Sequence, residues 1–313
     1  MPLDPDLTIR VLIVTAAIAG GLALAAGWLA PRARRTVHFF VASVGGIVGA
    51  GVATYLGCWW LDFLPRWKLG EAESRFLYIL LPAVLAVELV AATPLPLWIT
   101  WTFRILLSAV APRILLHGSI YLDEASEWTP IQSNLLLGGL ALALLAVWAA
   151  LALLLRRTRD RFTPLALSGV CAGAAVIIMF GYLTGGVLGL PLAAALAGAG
   201  MAALMLPGRG QEVGLLGVGV VGLFGLLVLG RFFGNISTLH ACLLFASPLL
   251  CWLPELPGVR QIWPWLRGMM RIALVMIPVA LIATQAHRQF EEDSKSPSNS
   301  EEPTAEDYLN FKP

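Results

Sequence analysis

The chain has 313 residues, of which 58% are hydrophobic and 13% are charged, and its mean hydropathy is +0.80. A soluble domain carries roughly a quarter charged residues, so this composition argues against a soluble fold. The formal net charge is +2, and the arginines sit at the edges of hydrophobic segments rather than in a basic patch, which argues against nucleic-acid binding.

Hydrophobic segments follow one another along the chain, and crossing a bilayer takes about 20 apolar residues per helix. The alternation typical of strands is missing, so the sequence predicts an all-α transmembrane helix bundle of about ten spans rather than a β-barrel. The predicted spans are Leu7–Ala30, Val37–Leu61, Phe76–Ala92, Leu97–Leu116, Leu135–Leu155, Phe162–Leu183, Val187–Leu206, Val213–Leu229, Ile236–Leu253 and Met269–Ala286.

The distribution of charge between the spans predicts their orientation. One alternate set of connections holds eleven arginines and three acidic residues, and the other set holds eight basic and fifteen acidic residues. Lys and Arg are retained on the cytoplasmic side. The arginine-rich connections are therefore expected to be cytoplasmic and both termini external. Short loops with this bias are typical of a bacterial inner membrane, where both termini would be periplasmic.

Small residues recur at every fourth position on one face of the second span and again in the sixth. They are Gly45, Gly49, Ala53 and Gly57, and then Gly169 and Gly173. Small side chains let two helix backbones approach closely in lipid. The stripes predict tight helix packing, either within one bundle or at an interface with a protein partner or a second copy of the chain.

The third and fourth spans carry the charges that break the apolar pattern. Glu88 lies about one helical turn before the end of the third span, and Arg104 about two turns into the fourth. The short connection between these spans predicts antiparallel neighbours, so the two side chains are expected to pair. An unpaired ion in the membrane costs about 2.5–3.5 kcal/mol on insertion scales. The pair either fixes how the helices pack or lines a polar cavity.

A second polar group is predicted on the external side. Arg113 lies near the end of the fourth span, His117 one turn beyond it, and Asp62 at the end of the second span. Arg113 is expected to extend towards the headgroups, with Asp62 as a partner. His117, His240 and His287 have no spacing typical of metal ligands, and the four cysteines form no CxxC pair. The sequence therefore predicts neither a metal site nor a cofactor.

Two further predictions concern the connection between the sixth and seventh spans and the C-terminal end of the chain. The sixth and seventh spans are separated by Thr184, Gly185 and Gly186, which predicts a tight hairpin at the glycines. After His287 the composition becomes acidic and rich in Ser and Pro, so residues 1–287 are predicted to form the membrane domain and residues 288–313 a disordered tail.

The sequence limits the possible functions chiefly because several motifs typical of enzymes are missing. The chain has no HExxH zinc motif, no GxxxxGK phosphate loop and no GxSxG elbow. A lipid-modifying enzyme therefore ranks last. The favoured interpretation is a structural or assembly subunit of a membrane complex, with the lipid bilayer as its surroundings. The alternative is a permease for a small solute or a lipid, with Glu88 and Arg104 at its polar centre.

Overall fold

The computed structural model describes residues 4–29, 35–65, 70–119, 129–158, 161–206, 211–259 and 263–295. Over these residues the chain forms helices and no strands, which confirms the predicted all-α bundle. The helices are α1 Pro5–Leu29, α2 Arg35–Trp60, α3 Ala72–Ala92, α4 Leu97–Leu116, α5 Pro130–Thr158, α6 Thr163–Met179, α7 Leu183–Met205, α8 Gln211–Phe232, α9 Thr238–Glu255 and α10 Pro264–Lys295.

Each helix coincides with one predicted span, apart from shifts at the ends. In the described part of the chain, nine helices are long and apolar enough to cross a membrane, which indicates a multi-pass membrane protein. Two of them are irregular next to proline. Helix α3 contains a wide π turn over Phe76–Leu80, just before Pro82, and α9 tightens to 3-10 geometry over Ser247–Glu255, which includes Pro248. Proline lacks the N–H that a regular helix needs, so the backbone adjusts there.

Helix α8 lies at the centre of the bundle. It is the most completely buried of the nine apolar helices, and α2, α3, α5, α6, α7 and α9 pack around it. Its glycines make this possible, because a Cβ at Gly214 would come within 2.5 Å of Ile47 on α2, and one at Gly222 within 2.5 Å of Leu192 on α7. Any charge that α3 directs inward therefore meets the backbone of α8.

The predicted small-residue faces lie against other helices of the same chain. The α2 face packs against α1 and α7, and the α6 face packs against α10. The nearest neighbours are Ala26 for Gly45, Ala19 for Gly49, Pro191 and Thr15 for Gly57, Met276 for Gly169 and Val279 for Gly173, and Ala53 is fully buried. These residues therefore make packing contacts inside the bundle.

Helix α6 has 17 residues, somewhat fewer than the roughly 20 of a typical span. It nevertheless runs beside α10 in the same direction. Phe162, just before α6, lies 5.1 Å from the ring of Trp265 at the start of α10, and Phe180, just after α6, lies 5.5 Å from the ring of Phe290 towards its end. Both ends of α6 therefore contact α10, but α6 is not among the nine helices of the described residues that are long and apolar enough to cross a membrane, so a tenth crossing stays a prediction.

The turn between α6 and α7 does not lie at the predicted glycines. Phe180 and Gly181 make the turn, and Thr184, Gly185 and Gly186 belong to the first turn of α7. The prediction of a hairpin at these glycines was wrong, because their small size serves helix contact instead. A Cβ at Gly186 would lie 2.7 Å from the carbonyl oxygen of Ala175 on α6.

The predicted tail begins at residue 288, but α10 includes the first part of it and ends at Lys295. A side-chain contact one turn apart, between His287 Nε2 and Glu291 Oε1 at 3.2 Å, spans the predicted boundary. Residues 296–313 lie outside the described part of the chain, so a disordered tail stays a prediction.

Candidate functional site

Glu88 and Arg104 form a two-pronged ion pair between α3 and α4. Arg104 Nε donates to Glu88 Oε1 at 3.1 Å, and Arg104 Nη2 donates to Glu88 Oε2 at 2.9 Å. Glu88 is 0% exposed and Arg104 is 1% exposed. The short connection between α3 and α4 places both residues at the same depth. Because both carboxylate oxygens accept from the guanidinium, each ion offsets part of the desolvation cost of the other.

Aromatic and glycine residues complete the surroundings of the pair. The guanidinium carbon of Arg104 lies 5.3 Å from the ring centre of Trp101 on α4 and 5.3 Å from that of Trp148 on α5. These are cation–π distances, which add to the stabilisation of a desolvated cation. On the other side, a Cβ at Gly217 of α8 would lie only 2.1 Å from Glu88 Oε1. Glycine at this position provides the space that the carboxylate occupies.

The pair does not line the cavity that lies at one end of the bundle. That cavity is lined by residues of α5, α7, α9, α10 and the segment before α6, and it includes neither Glu88 nor Arg104. The carboxylate is enclosed by its guanidinium partner and the backbone of α8. In this conformation the arrangement suits helix packing better than exchange of a proton or capture of an anion.

The residues of the predicted external group lie at the surface of the protein. Asp62, Arg113 and His117 are all exposed, and within the described residues no ion pair joins Asp62 to Arg113. Asp62 occupies the turn after α2 with a positive φ of 57°, a conformation that Asp tolerates better than most residues. A role for these three residues in function stays a prediction.

Sequence reasoning missed a buried arginine near the start of α3. The predicted spans leave Arg75 in the connection before the third span, but α3 begins at Ala72 and Arg75 is 4% exposed. Its Nη2 donates to the carbonyl oxygen of Leu115, in the last turn of α4. A cation here complements the partial negative charge of the helix end. The sequence does carry a signal for this, since a span starting at Phe76 is shorter than most membrane helices.

A polar contact beside Arg75 ties the α6–α7 turn to α3. The hydroxyl of Tyr182 donates to Glu73 Oε1, which also accepts from Thr184 Oγ1 at 2.9 Å. Burial, and then the hydrogen bond to the Glu73 carboxylate, raise the pKa of Tyr182 above its usual value. This contact fixes the connection between two helices.

The cavity lies at another group that the sequence did not single out. Arg271 Nη2 lies 2.5 Å from Glu255 Oε1, and Arg267 Nη1 lies 3.7 Å from the same oxygen. Arg271 is buried; the predicted span Met269–Ala286 contains it, although the charge distribution counts it with the connections. These charges are recognisable only in three dimensions, because α9 and α10 bring them together across a connection.

No group of three or more His, Cys, Asp or Glu side chains that could hold a metal ion occurs among the described residues. Comparison with protein-family models, with curated proteins and with solved structures finds no match. The function of the protein must therefore be inferred from the geometry of the chain itself.

Proposed function

We propose that this protein is a structural or assembly subunit of a membrane complex, with both termini external in a bacterial inner membrane. The observation that carries this proposal is the sealed Glu88–Arg104 pair. Its two hydrogen bonds and its near-zero exposure are the properties of a contact that holds helices together. A transport centre would need one of the two ions to be reachable from water.

The location of the pair supports the same proposal. It joins α3 and α4 to the central helix α8, and Trp148 of α5 closes the remaining side. The intramembrane charges thus fix four helices relative to one another. The permease alternative would require these helices to separate so that water reaches Glu88.

The outer surface offers places for a partner other than the predicted small-residue faces. Those faces are covered within the chain, whereas Gly138 and Gly139 of α5 have no neighbouring atom within 4 Å of an added Cβ. Leu135 and Leu142 on the same helix are also exposed. In the membrane this face contacts either lipid or another protein.

Purification of the tagged protein in a mild detergent, followed by mass spectrometry, tests the proposal. We expect a protein partner at a fixed ratio, and we expect the partner, when tagged in turn, to recover the chain at that same ratio. A homogeneous particle that carries only lipid or solute would contradict the proposal. Uptake by proteoliposomes that is lost in Glu88→Gln would then support the permease alternative.

A further inference from the structure

The cavity at one end of the bundle has a volume of about 330 Å³ and is formed where five helices begin or end. Its lining residues are Thr158, Arg161, Phe162, Leu204, Glu255, Pro264, Trp265, Arg267 and Arg271. The volume lies near the lower limit of small-molecule sites, which hold about 300–1,000 Å³. It therefore suits a headgroup-sized ligand rather than a whole lipid.

The lining of the cavity is positively charged. Three arginines face one glutamate, which leaves a formal excess of two positive charges. Glu255 is bound most closely by Arg271, while Arg267 Nη1 lies 3.7 Å away, beyond hydrogen-bond length. The Arg267 side chain is 23% exposed, and its Nε–H is buried and has no hydrogen-bond partner. A guanidinium whose hydrogen bonds are incompletely satisfied is costly, so an anion that reaches its exposed part would stabilise it.

Two helix N-termini open at the same cavity. Phe162 directly precedes α6, and Pro264 and Trp265 begin α10, and all three residues line the cavity. The rings of Phe162 and Trp265 touch edge to face at 5.1 Å, which holds the two helix ends side by side. Helix N-termini carry partial positive charge and point N–H groups outward, so they favour a negatively charged ligand.

Exposed apolar side chains surround this end of the bundle. Trp263 is 80% exposed, Trp265 is 59% exposed, and Met205, next to the cavity-lining Leu204, is 67% exposed. Tryptophan prefers the headgroup layer of a bilayer, where its ring is buried and its N–H is wet. The cavity therefore lies at the level of lipid headgroups, with apolar surface beside it for acyl chains.

We propose that this cavity binds a phosphate-bearing anion, and that the headgroup of an anionic phospholipid is its natural source. Arg161 and Arg267 supply charge-assisted hydrogen bonds to phosphate oxygens. Arg271 stays held by Glu255 and by the carbonyl oxygen of Cys251, to which its Nε donates at 3.3 Å, so it acts as a fixed wall of the site. The arginine fork suits phosphate geometry. This proposal does not depend on the subunit function.

Native mass spectrometry of the full chain in detergent tests the proposal, with phosphatidylglycerol and phosphatidylcholine of equal chain length as probes. We expect the wild type to prefer phosphatidylglycerol. Arg267→Gln should weaken that binding about tenfold, which is typical for the loss of a charge-assisted hydrogen bond. Glu255→Gln should strengthen it, because Glu255 competes with the anion for Arg267. If Arg267→Gln folds poorly, Arg161→Gln provides the same test.

Arg157→Gln is the matched control, because Arg157 is exposed at the same end of the bundle but does not line the cavity. It should leave binding nearly unchanged. Equal losses in Arg157→Gln and Arg267→Gln would overturn the proposal, since general surface charge would then explain the preference. Unchanged binding in both Arg267→Gln and Arg161→Gln would overturn it too.

A second experiment uses inorganic phosphate as the probe and measures the shift in the thermal unfolding temperature of the delipidated protein. Stabilisation by phosphate that Arg267→Gln abolishes, without a preference between the two lipids, would support the site and identify free phosphate as its ligand. Absence of both lipid preference and phosphate stabilisation in the wild type would overturn the proposal.

Discussion

Removal of either Glu88 or Arg104 is expected to destabilise the fold, because the other ion then stays buried without its partner. Loss of one partner of a buried ion pair costs about 3–5 kcal/mol, because the remaining ion stays desolvated without compensation.

Glu88→Gln is expected to lower the free energy of unfolding by about 3–5 kcal/mol, measured by denaturant titration in detergent micelles. The double variant Glu88→Leu with Arg104→Met should be much closer to the wild type, because apolar residues of similar size need no compensation. If the double variant folds but fails to support the protein's role in cells, the pair has a function beyond packing. Equal instability of the single and double variants would contradict the ionic explanation.

Helix α8 stabilises the bundle through the closeness of its neighbours rather than through large side chains. Its glycines receive Ile47 from α2, Glu88 from α3 and Leu192 from α7. In lipid the hydrophobic effect does not drive helices together, so close packing stabilises the bundle through dispersion contacts. The effect of substituting a glycine of α8 on stability therefore depends on which atoms lie opposite it rather than on helix propensity.

Gly217→Ala is expected to destabilise the protein by about 1–3 kcal/mol, because the new methyl group would overlap the Glu88 carboxylate. Gly138→Ala on α5 is the matched control. An added Cβ there meets nothing within 4 Å, so the change should be neutral or stabilise by up to about 1 kcal/mol through helix propensity. Thermal unfolding of both variants in the same detergent compares them. A harmless Gly217→Ala would show that Glu88 can move away from α8.

The topology of the whole molecule depends on whether every helix crosses the membrane. Helix α6 is the shortest of the described helices, and its contacts near the start and towards the end of α10 show that the two helices run in the same direction. The cavity also agrees with alternate crossing. It gathers residues near the ends of α5, α7 and α9, the residues just before α6 and the first turns of α10 at one end of the bundle.

Reporter fusions at the two termini test this topology. With ten crossings, both termini lie on the same side, and the arginine distribution places that side outside. A C-terminal alkaline phosphatase fusion should therefore be active in a bacterial host, and a C-terminal green fluorescent protein fusion should be dark. Termini on opposite sides would exclude ten crossings. Termini that are both inside would leave the count intact and reverse the orientation.

Some residues were identifiable from sequence because their position in the chain already determines their neighbours. A short connection brings α3 and α4 together, so Glu88 and Arg104 could be paired in advance. Arg75, Arg267 and Arg271 could not be placed in this way. Hydropathy locates the apolar centre of a helix well and its ends poorly, and Arg75 and Arg267 lie in the first turns of α3 and α10, with Arg271 one turn after Arg267. Arg75 could have been recovered by adding one turn to a short span.

The sequence by itself determined the class of fold, the approximate position of each helix and the charge asymmetry between the two ends. These properties follow from the local composition of the chain, because a transmembrane helix needs about 20 apolar residues and tolerates few charges within them. Only the tertiary structure decided that α8 is central, that the small-residue faces are covered within the bundle, and that Glu88 is sealed against Gly217. Nearly uniform apolar helices carry little information about which face meets which neighbour. Close fit between distant residues supplies that information, and it exists only after the helices have packed.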